Sequence, residues 1–224
     1  MIRYDVLKFT AVFIENIDNK GVTSSGTGFF VGFEDKPTVL VTAKHVVENA
    51  DYLNISFHYM PTESTHIATV SFKCKPEWRK SDDYDICCCD LSKINKDFEK
   101  MIGFPIYYKY ISGDSMLKKG ELKDVEVLQQ VVMLGYPGSM KNTAFAYPIV
   151  SKGTLAVPPK DNVANDEGYI NMATVGGHSG SPLLLKTEKG YALLGILTKS
   201  LMENPISSAD IGMYVDAYRL LDLI

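Results

Sequence analysis

Short runs of β-branched and aromatic residues recur along the whole chain, separated by clusters of glycine, proline, asparagine and aspartate. Such runs, bounded by turn-forming residues, are typical of β-strands. Many short strands at even spacing predict a β-sandwich or β-barrels. The pattern predicts strands at residues 8–15, 27–33, 38–42, 52–59, 126–134, 147–156, 169–174, 182–186 and 191–198.

Helical signals are few. Short helices are predicted at residues 44–49 and 217–224. In the second of these segments, apolar residues recur at helical spacing. The charged stretch 93–100 is expected to be a solvated surface. Residues 112–124 are polar and lack apolar periodicity, so we expect a linker there between one domain at 1–111 and a second at 125–224.

Charge and apolar content narrow the classes of function. The chain has 224 residues and a net charge of −4, so binding to nucleic acid or to an acidic membrane has no electrostatic support. No segment approaches the ~20 apolar residues that span a bilayer. The apolar run near the N-terminus stops at Glu15 after six residues, which is short for a signal peptide.

The four cysteines are Cys74 and the consecutive group 87–89. Three consecutive cysteines make a poor disulfide framework, and with no signal peptide they favour a reducing cytoplasm. Consecutive strand residues alternate between faces, so we expect the group to be buried small apolar side chains and to bind no metal.

Three residues have the types that nucleophilic catalysis needs. His45 follows an apolar strand, Asp85 enters another, and Ser179 lies in a glycine-rich turn. A serine hydroxyl is a weak nucleophile until a histidine takes its proton, and a carboxylate must hold that histidine in the correct tautomer. Asp82 and Asp83 are alternatives for the carboxylate, but only Asp85 leads directly into a strand, so we interpret the other two as loop charges.

The order of these residues along the chain separates three known arrangements. Here it is His, Asp, Ser, whereas α/β-hydrolases have Ser, Asp, His and subtilisin-type enzymes have Asp, His, Ser. The α/β-hydrolase turn also continues into a helix, which Pro182 forbids here. Both observations indicate the arrangement of chymotrypsin.

Four motifs in matching order resemble the trypsin-like serine proteases, closest in style to bacterial HtrA-type and V8-like peptidases. They are GTGFFV at 26–31, TAKHV at 42–46, DI at 85–86 and GHSGSP at 177–182. The resemblance implies an all-β fold of two six-stranded antiparallel β-barrels (chymotrypsin-like) with a short C-terminal helix. It places the catalytic residues in the cleft between the barrels and implies no cofactor and no metal.

By the same resemblance, Ser179 is the nucleophile, His45 the general base and acid, and Asp85 the orienting carboxylate. The backbone N–H groups of Gly177 and Ser179 form the oxyanion hole. At position 178, where digestive relatives carry an aspartate that pairs with a new N-terminus, this chain has His178. The resemblance therefore implies no activation by N-terminal cleavage.

The resemblance also places the substrate-specificity (S1) pocket, before the nucleophile and on the strand after it. Its residues are Met172, Thr174, Val175, Leu197, Thr198 and Lys199. V8-like enzymes recognise glutamate with a histidine where Leu197 stands, and no acidic residue is placed to accept arginine or lysine. We therefore expect a small or medium apolar side chain at P1, with Lys199 as the residue that would admit an acidic one.

The expected function is serine endopeptidase activity on a peptide or protein substrate. Two alternatives use the same residues. One is a catalytically weak pseudoprotease or a module that binds peptides in the cleft between the barrels. The other is an esterase or acyl transferase. The oligomeric state stays open.

Overall fold

Strands account for most of the regular structure. The computed structural model describes residues 4–61, 66–138, 147–159, 166–201 and 209–224. The strands are β1 Ala11–Asp18, β2 Gly21–Gly32, β3 Val39–Thr42, β4 Tyr52–Tyr59, β5 Ala68–Cys74, β6 Arg79–Lys80, β7 Cys87–Asp90, β8 Ile111–Ser112, β9 Gln130–Gly135, β10 Ile149–Leu155, β11 Glu167–Thr174, β12 Pro182–Thr187, β13 Gly190–Ser200 and β14 Ala209–Asp216. The α-helices are α1 Tyr4–Leu7, α2 Lys44–Val47 and α3 Leu91–Ile102, and 3₁₀ turns span Gly113–Ser115, Lys119–Asp124 and Ala217–Leu223.

The strands form two bodies. β5-β4-β1-β2-β3-β7-β6 make one sheet in that order, with β8 added in parallel to β2. β10-β11-β14-β13-β12-β9 close into an antiparallel barrel. This confirms the predicted all-β double-barrel class and the six-stranded second barrel. The first body differs from the predicted six strands: its described residues form eight, because the two-residue strands β6 and β8 join it.

All nine predicted strand segments overlap a strand of the structure. Besides the short strands β6, β7 and β8, of which β7 was expected only as the strand that Asp85 enters, the pattern misses β5 and β14. Their sequences ATVSFKC and ADIGMYVD interrupt the apolar residues with polar residues or glycine. These two segments are strands because they hydrogen-bond to neighbouring strands: β5 pairs with β4, and β14 pairs with both β11 and β13.

The expectation of a solvated surface at the charged stretch is only half right, because that stretch lies within α3. The helix buries one face through Leu91, Ile94 and Phe98. Asp90 caps its start by accepting the N–H of Ser92 at 2.7 Å. No helix in the described ranges is long and apolar enough to cross a bilayer.

Among the described residues, apolar side chains form three clusters, one in each body and one between them. The cluster between the bodies joins Phe29 and Val41 of the sheet to Leu134 and Val215 of the barrel. It anchors the two bodies against each other next to the strand ends that carry the candidate catalytic residues.

The consecutive cysteines alternate as expected. Cys87 and Cys89 pack inside the N-terminal body, whereas Cys88 packs in the cluster between the bodies. All three thiols are free and buried. Within the described ranges, no group of three or more His, Cys, Asp or Glu residues is arranged to hold a metal ion.

Candidate active site

The pairing of β3 with β7 brings His45 and Asp85 together. Thr42, which ends β3, lies opposite Cys87, which begins β7. His45 follows in α2, and Asp85 lies two residues before β7. The backbone N–H of Lys44 donates to the carbonyl of Asp85 at 3.3 Å. Main-chain structure therefore sets the separation of the two side chains.

The carboxylate of Asp85 uses both oxygens on His45. Oδ1 accepts the backbone N–H of His45 at 2.9 Å, and Oδ2 lies 2.6 Å from the ring Nδ1. A carboxylate can only accept, so Nδ1 carries the proton and Nε2 is left to accept one. Asp82 and Asp83 are both exposed, as expected of loop charges.

The N-terminal sheet holds the loop that carries Ser179. The N–H of Thr27 donates to the carbonyl of Ser179 at 2.8 Å. A Cβ on Gly26 would lie 2.9 Å from that carbonyl and 2.6 Å from a methyl of Val46, so glycine permits this close approach. The hydroxyl of Ser179 forms no hydrogen bond with His45 in this structure. In ligand-free enzymes that bond often tightens only when substrate is bound.

The loop before Ser179 leaves two backbone donors unused. Gly177 has φ +95°, and a Cβ there would lie 2.3 Å from the carbonyl of Tyr136. The carbonyl of Gly176 accepts the N–H of Gly138 at 2.6 Å. Because N–H and C=O point in opposite directions in a trans peptide, the N–H of Gly177 faces away from Gly138. Within the described part of the chain, neither this N–H nor that of Ser179 donates a hydrogen bond.

His178 forms two hydrogen bonds within the same loop, both with Val175. Its N–H donates to the carbonyl of Val175 at 3.1 Å, and its ring Nδ1 accepts the N–H of Val175 at 3.2 Å. The side chain is 4% exposed, and burial lowers its pKa to about 4. The ring is therefore neutral near pH 7 and serves as an internal clamp of the turn before Ser179.

A cleft of about 460 Å³ contains all three candidate catalytic residues. Its lining consists of His45, Asp85, Glu167, Val175, Gly176, Ser179, Thr198, Lys199, Ser200 and Met213. Two of these residues come from the N-terminal body and the rest from the barrel. The structure therefore assembles the predicted constellation at the boundary of the two bodies.

Only half of the predicted pocket residues reach this cleft. Val175, Thr198 and Lys199 line it. Met172 and Leu197 instead belong to the barrel core, at 5% and 1% exposed, and Thr174 is fully buried. The reason is strand geometry: successive side chains point to opposite faces, so part of each segment is directed into the barrel.

The cleft also contains residues that no sequence pattern marks. Glu167, Ser200 and Met213 come from β11, β13 and β14, which are neighbours only in the closed barrel. Burial raises the pKa of Glu167, the charge of Asp85 adds to this, and Lys199 opposes it. The cleft therefore holds a cation and an extra carboxyl beside the candidate catalytic residues.

A charged cluster ties the residue before Asp85 to the barrel. Tyr84 donates its hydroxyl to Oδ2 of Asp166 at 2.8 Å, and Arg219 donates its Nε to the same oxygen at 3.1 Å. The hydroxyl of Tyr218 donates to the other oxygen. Burial disfavours the charge of Asp166, but these hydrogen bonds outweigh it and lower its pKa well below the usual range.

Asp216 lies close to that cluster in a less favourable environment. It is 5% exposed, and its Oδ1 has no hydrogen-bond partner among the described residues. Burial and the negative charge of Asp166 raise the pKa of Asp216 to about 7, although Arg219 and Lys119 oppose the shift.

The closed barrel, the sheet beside it and the cleft at their boundary define a chymotrypsin-like double-barrel fold. Two solved structures are similar. A serine endoprotease from Yersinia pestis has a TM-score of 0.59 and 16% identity, and the match covers 96% of this chain but 61% of that one. A protease from M. tuberculosis, in its active form, has a TM-score of 0.57 and 15% identity over 96% of this chain and 79% of that one.

The sequence itself carries a narrower relationship. A family model described as a trypsin-like peptidase domain matches residues 26–196. That region is most of the chain and contains His45, Asp85 and Ser179. The chain belongs to this family. None of the curated protein sequences compared with it matches significantly.

Proposed function

We propose that the chain is a serine endopeptidase that cleaves peptide bonds through an acyl-enzyme intermediate. The observation that carries the proposal is the hydrogen bond between Asp85 and Nδ1 of His45, in the cleft that Ser179 also lines. Membership of a peptidase family supports the same reaction class.

The proposed reaction has two halves, in which Ser179 is first acylated and the acyl-enzyme is then hydrolysed. Nε2 of His45 takes the proton of Ser179 while Oγ attacks the peptide carbonyl carbon. The N–H groups of Gly177 and Ser179 donate to the oxygen as it becomes negative, and one such donor typically contributes about 10²–10³ in kcat. His45 then passes its proton to the leaving amine. In the second half His45 takes a proton from water as the water attacks the ester carbonyl carbon, and it returns that proton to Oγ as the bond between Oγ and the acyl carbon breaks and the carboxylic acid leaves.

We further propose a neutral, apolar preference at P1. Val175 and Met213 supply apolar surface in the cleft, and Thr198 supplies a buried hydroxyl. Lys199 interacts electrostatically with Glu167. We propose that this carboxyl competes with an acidic substrate side chain for the ammonium. Discrimination should be modest, about 1–3 kcal/mol per methylene.

A peptide library varied at P1 tests this preference. We expect cleavage after small and medium apolar residues. Dominant cleavage after Arg, Lys, Asp or Glu would contradict the preference but leave the endopeptidase proposal intact.

The nucleophile is tested with a fluorophosphonate probe on wild type, Ser179→Ala and Ser181→Ala. We expect labelling of the wild type and of the Ser181 variant, because Oγ of Ser181 is buried and makes no hydrogen bond among the described residues. Ser179→Ala should lose labelling and about 10⁴–10⁶ in kcat. A wild type that never labels would favour a peptide-binding module, and ester hydrolysis without peptide cleavage would favour an esterase.

A further inference from the structure

The side chain of Thr27 lies between the N-terminal sheet and the loop of the barrel that carries Ser179. Thr27 lies in β2 of the N-terminal sheet and is fully buried. Its hydroxyl donates to the carbonyl of Gly177 at 2.9 Å. The same oxygen accepts the N–H of Tyr136, also at 2.9 Å. One threonine hydroxyl therefore joins the loop that carries Ser179 to the end of β9.

The main chain of Thr27 adds two further bonds. Its N–H donates to the carbonyl of Ser179 at 2.8 Å. Its carbonyl accepts the hydroxyl of Thr42 at 2.7 Å, and Thr42 ends the strand that leads to His45. Together with the two bonds of the hydroxyl, these contacts reach both the base and the nucleophile sides of the cleft.

The bond to Gly177 matters because a glycine does not enforce its own backbone conformation. Glycine adopts positive φ without steric cost, so a φ of +95° is not enforced by Gly177 itself. On one side, the carbonyl of Gly176 is held by the N–H of Gly138. On the other side, the carbonyl of Gly177 is held by Thr27. The bond to Gly176 fixes the peptide plane that carries the N–H of Gly177, and the bond from Thr27 fixes the next plane, which leads to Ser179.

We propose that Thr27 is a positioning residue for the oxyanion hole. Its hydroxyl holds the 177–179 loop so that the N–H groups of Gly177 and Ser179 point at the same oxygen. The proposal rests on the proposed peptidase function. The neighbouring positions in the strand cannot serve, because Gly26 and Gly28 have no side chain and a Cβ there would meet Val46 or Ile14 at less than 3 Å.

Loss of this hydroxyl should raise the free energy of the transition state more than that of the bound substrate. The oxyanion carries its charge there and not in the bound substrate, so a misdirected donor lowers kcat more than it changes KM. A displacement of about 1 Å in a catalytic group can cost about 10² in rate.

The test compares Thr27→Val, which keeps the shape but removes the hydroxyl, with Thr27→Ser, which keeps the hydroxyl. Thr27→Val should lower kcat about 10- to 100-fold with KM within about threefold, and Thr27→Ser should retain most of kcat. Thr10→Val is the matched control, because Thr10 is a buried threonine whose hydroxyl, among the described residues, bonds only to the carbonyl of Leu7, at 2.7 Å. It should lower the melting temperature without lowering kcat.

Equal kcat in wild type and Thr27→Val would overturn the proposal, as would an equal loss in Thr10→Val. Amide hydrogen exchange of the wild type provides a readout if Thr27→Val does not fold. The N–H of Tyr136 should be strongly protected and that of Gly177 weakly protected, and rapid exchange at Tyr136 would refute its hydrogen bond to the hydroxyl of Thr27. A wild type that neither cleaves peptide nor labels would refute the peptidase function and with it the role of Thr27, even if Tyr136 is protected.

Discussion

Asp85→Asn tests the orientation of the base, because the geometry dictates how an asparagine must sit. The backbone N–H of His45 donates to Oδ1 of Asp85 at 2.9 Å and needs an acceptor. An asparagine can satisfy it only with its carbonyl oxygen, which directs its NH₂ group to the ring Nδ1. Nδ1 must then accept, so the ring proton moves to Nε2, and Nε2 cannot take the proton of Ser179.

The expected loss is therefore large although only one oxygen is replaced. An imidazole held in the wrong tautomer costs roughly 10⁴ in kcat, or about 5 kcal/mol of transition-state stabilisation. The fold should change little, since 33% of the Asp85 side chain is exposed and asparagine keeps its volume. KM should stay within a few-fold because neither oxygen of Asp85 is needed to bind the peptide.

Steady-state cleavage of a peptide substrate, with the melting temperature measured in parallel, decides the question. Asp83→Asn is the matched control, because Asp83 is exposed two residues away. It should retain wild-type kcat. If Asp85→Asn kept more than a tenth of wild-type kcat, or if Asp83→Asn lost as much, the orienting role would belong elsewhere.

Three further predictions concern stability and reactivity. Asp216→Asn should raise the melting temperature far more at pH 8 than at pH 4, because the folded pKa of about 7 lies above the ordinary value of 3.8 and stability falls as pH rises through this range, by on the order of 4 kcal/mol. An equal shift at both pH values would contradict the ionisation. Gly180→Ala should lower the free energy of unfolding by well over 2 kcal/mol, since the new Cβ would lie 2.1 Å from the carbonyl of Thr27. Gly103→Ala, at the same φ of +86° but in open space, should cost about 1 kcal/mol. Equal urea midpoints for the two variants would refute this. The cysteines at 87–89 should resist alkylation of the folded protein, because burial raises the pKa of each thiol. Treatment with an alkylating agent should therefore leave peptide cleavage unchanged, and rapid modification with loss of cleavage would overturn this prediction.

Strands could be predicted because their signal is local. Alternating or continuous apolar runs between turn residues identified segments such as 27–33 and 38–42, which overlap β2 and β3 of the structure. α3 was missed because its three buried residues, among them Ile94 and Phe98, are spread through a charged sequence. Their spacing and the cap at Asp90 were the available signals.

The pocket shows the opposite case. Of the residues predicted for the S1 pocket, Val175 and Lys199 line the cleft, whereas Leu197 packs in the barrel core. Which face a residue occupies depends on strand register and on bulges, and the pairing of β13 with β14 shifts register between Leu197 and Lys199. No pattern in the local sequence reports such a shift.

The sequence by itself determined the strand-rich class, the order His, Asp, Ser and the glycine-rich turn around Ser179, because these depend on residue type and short-range spacing. The tertiary structure alone decided which groups meet. The contacts between Thr27 and Gly177, 150 residues apart, and between Tyr84 and Asp166, 82 apart, are examples. The physical reason is that hydrogen bonds and buried charges act over a few ångströms in space, whatever the separation along the chain.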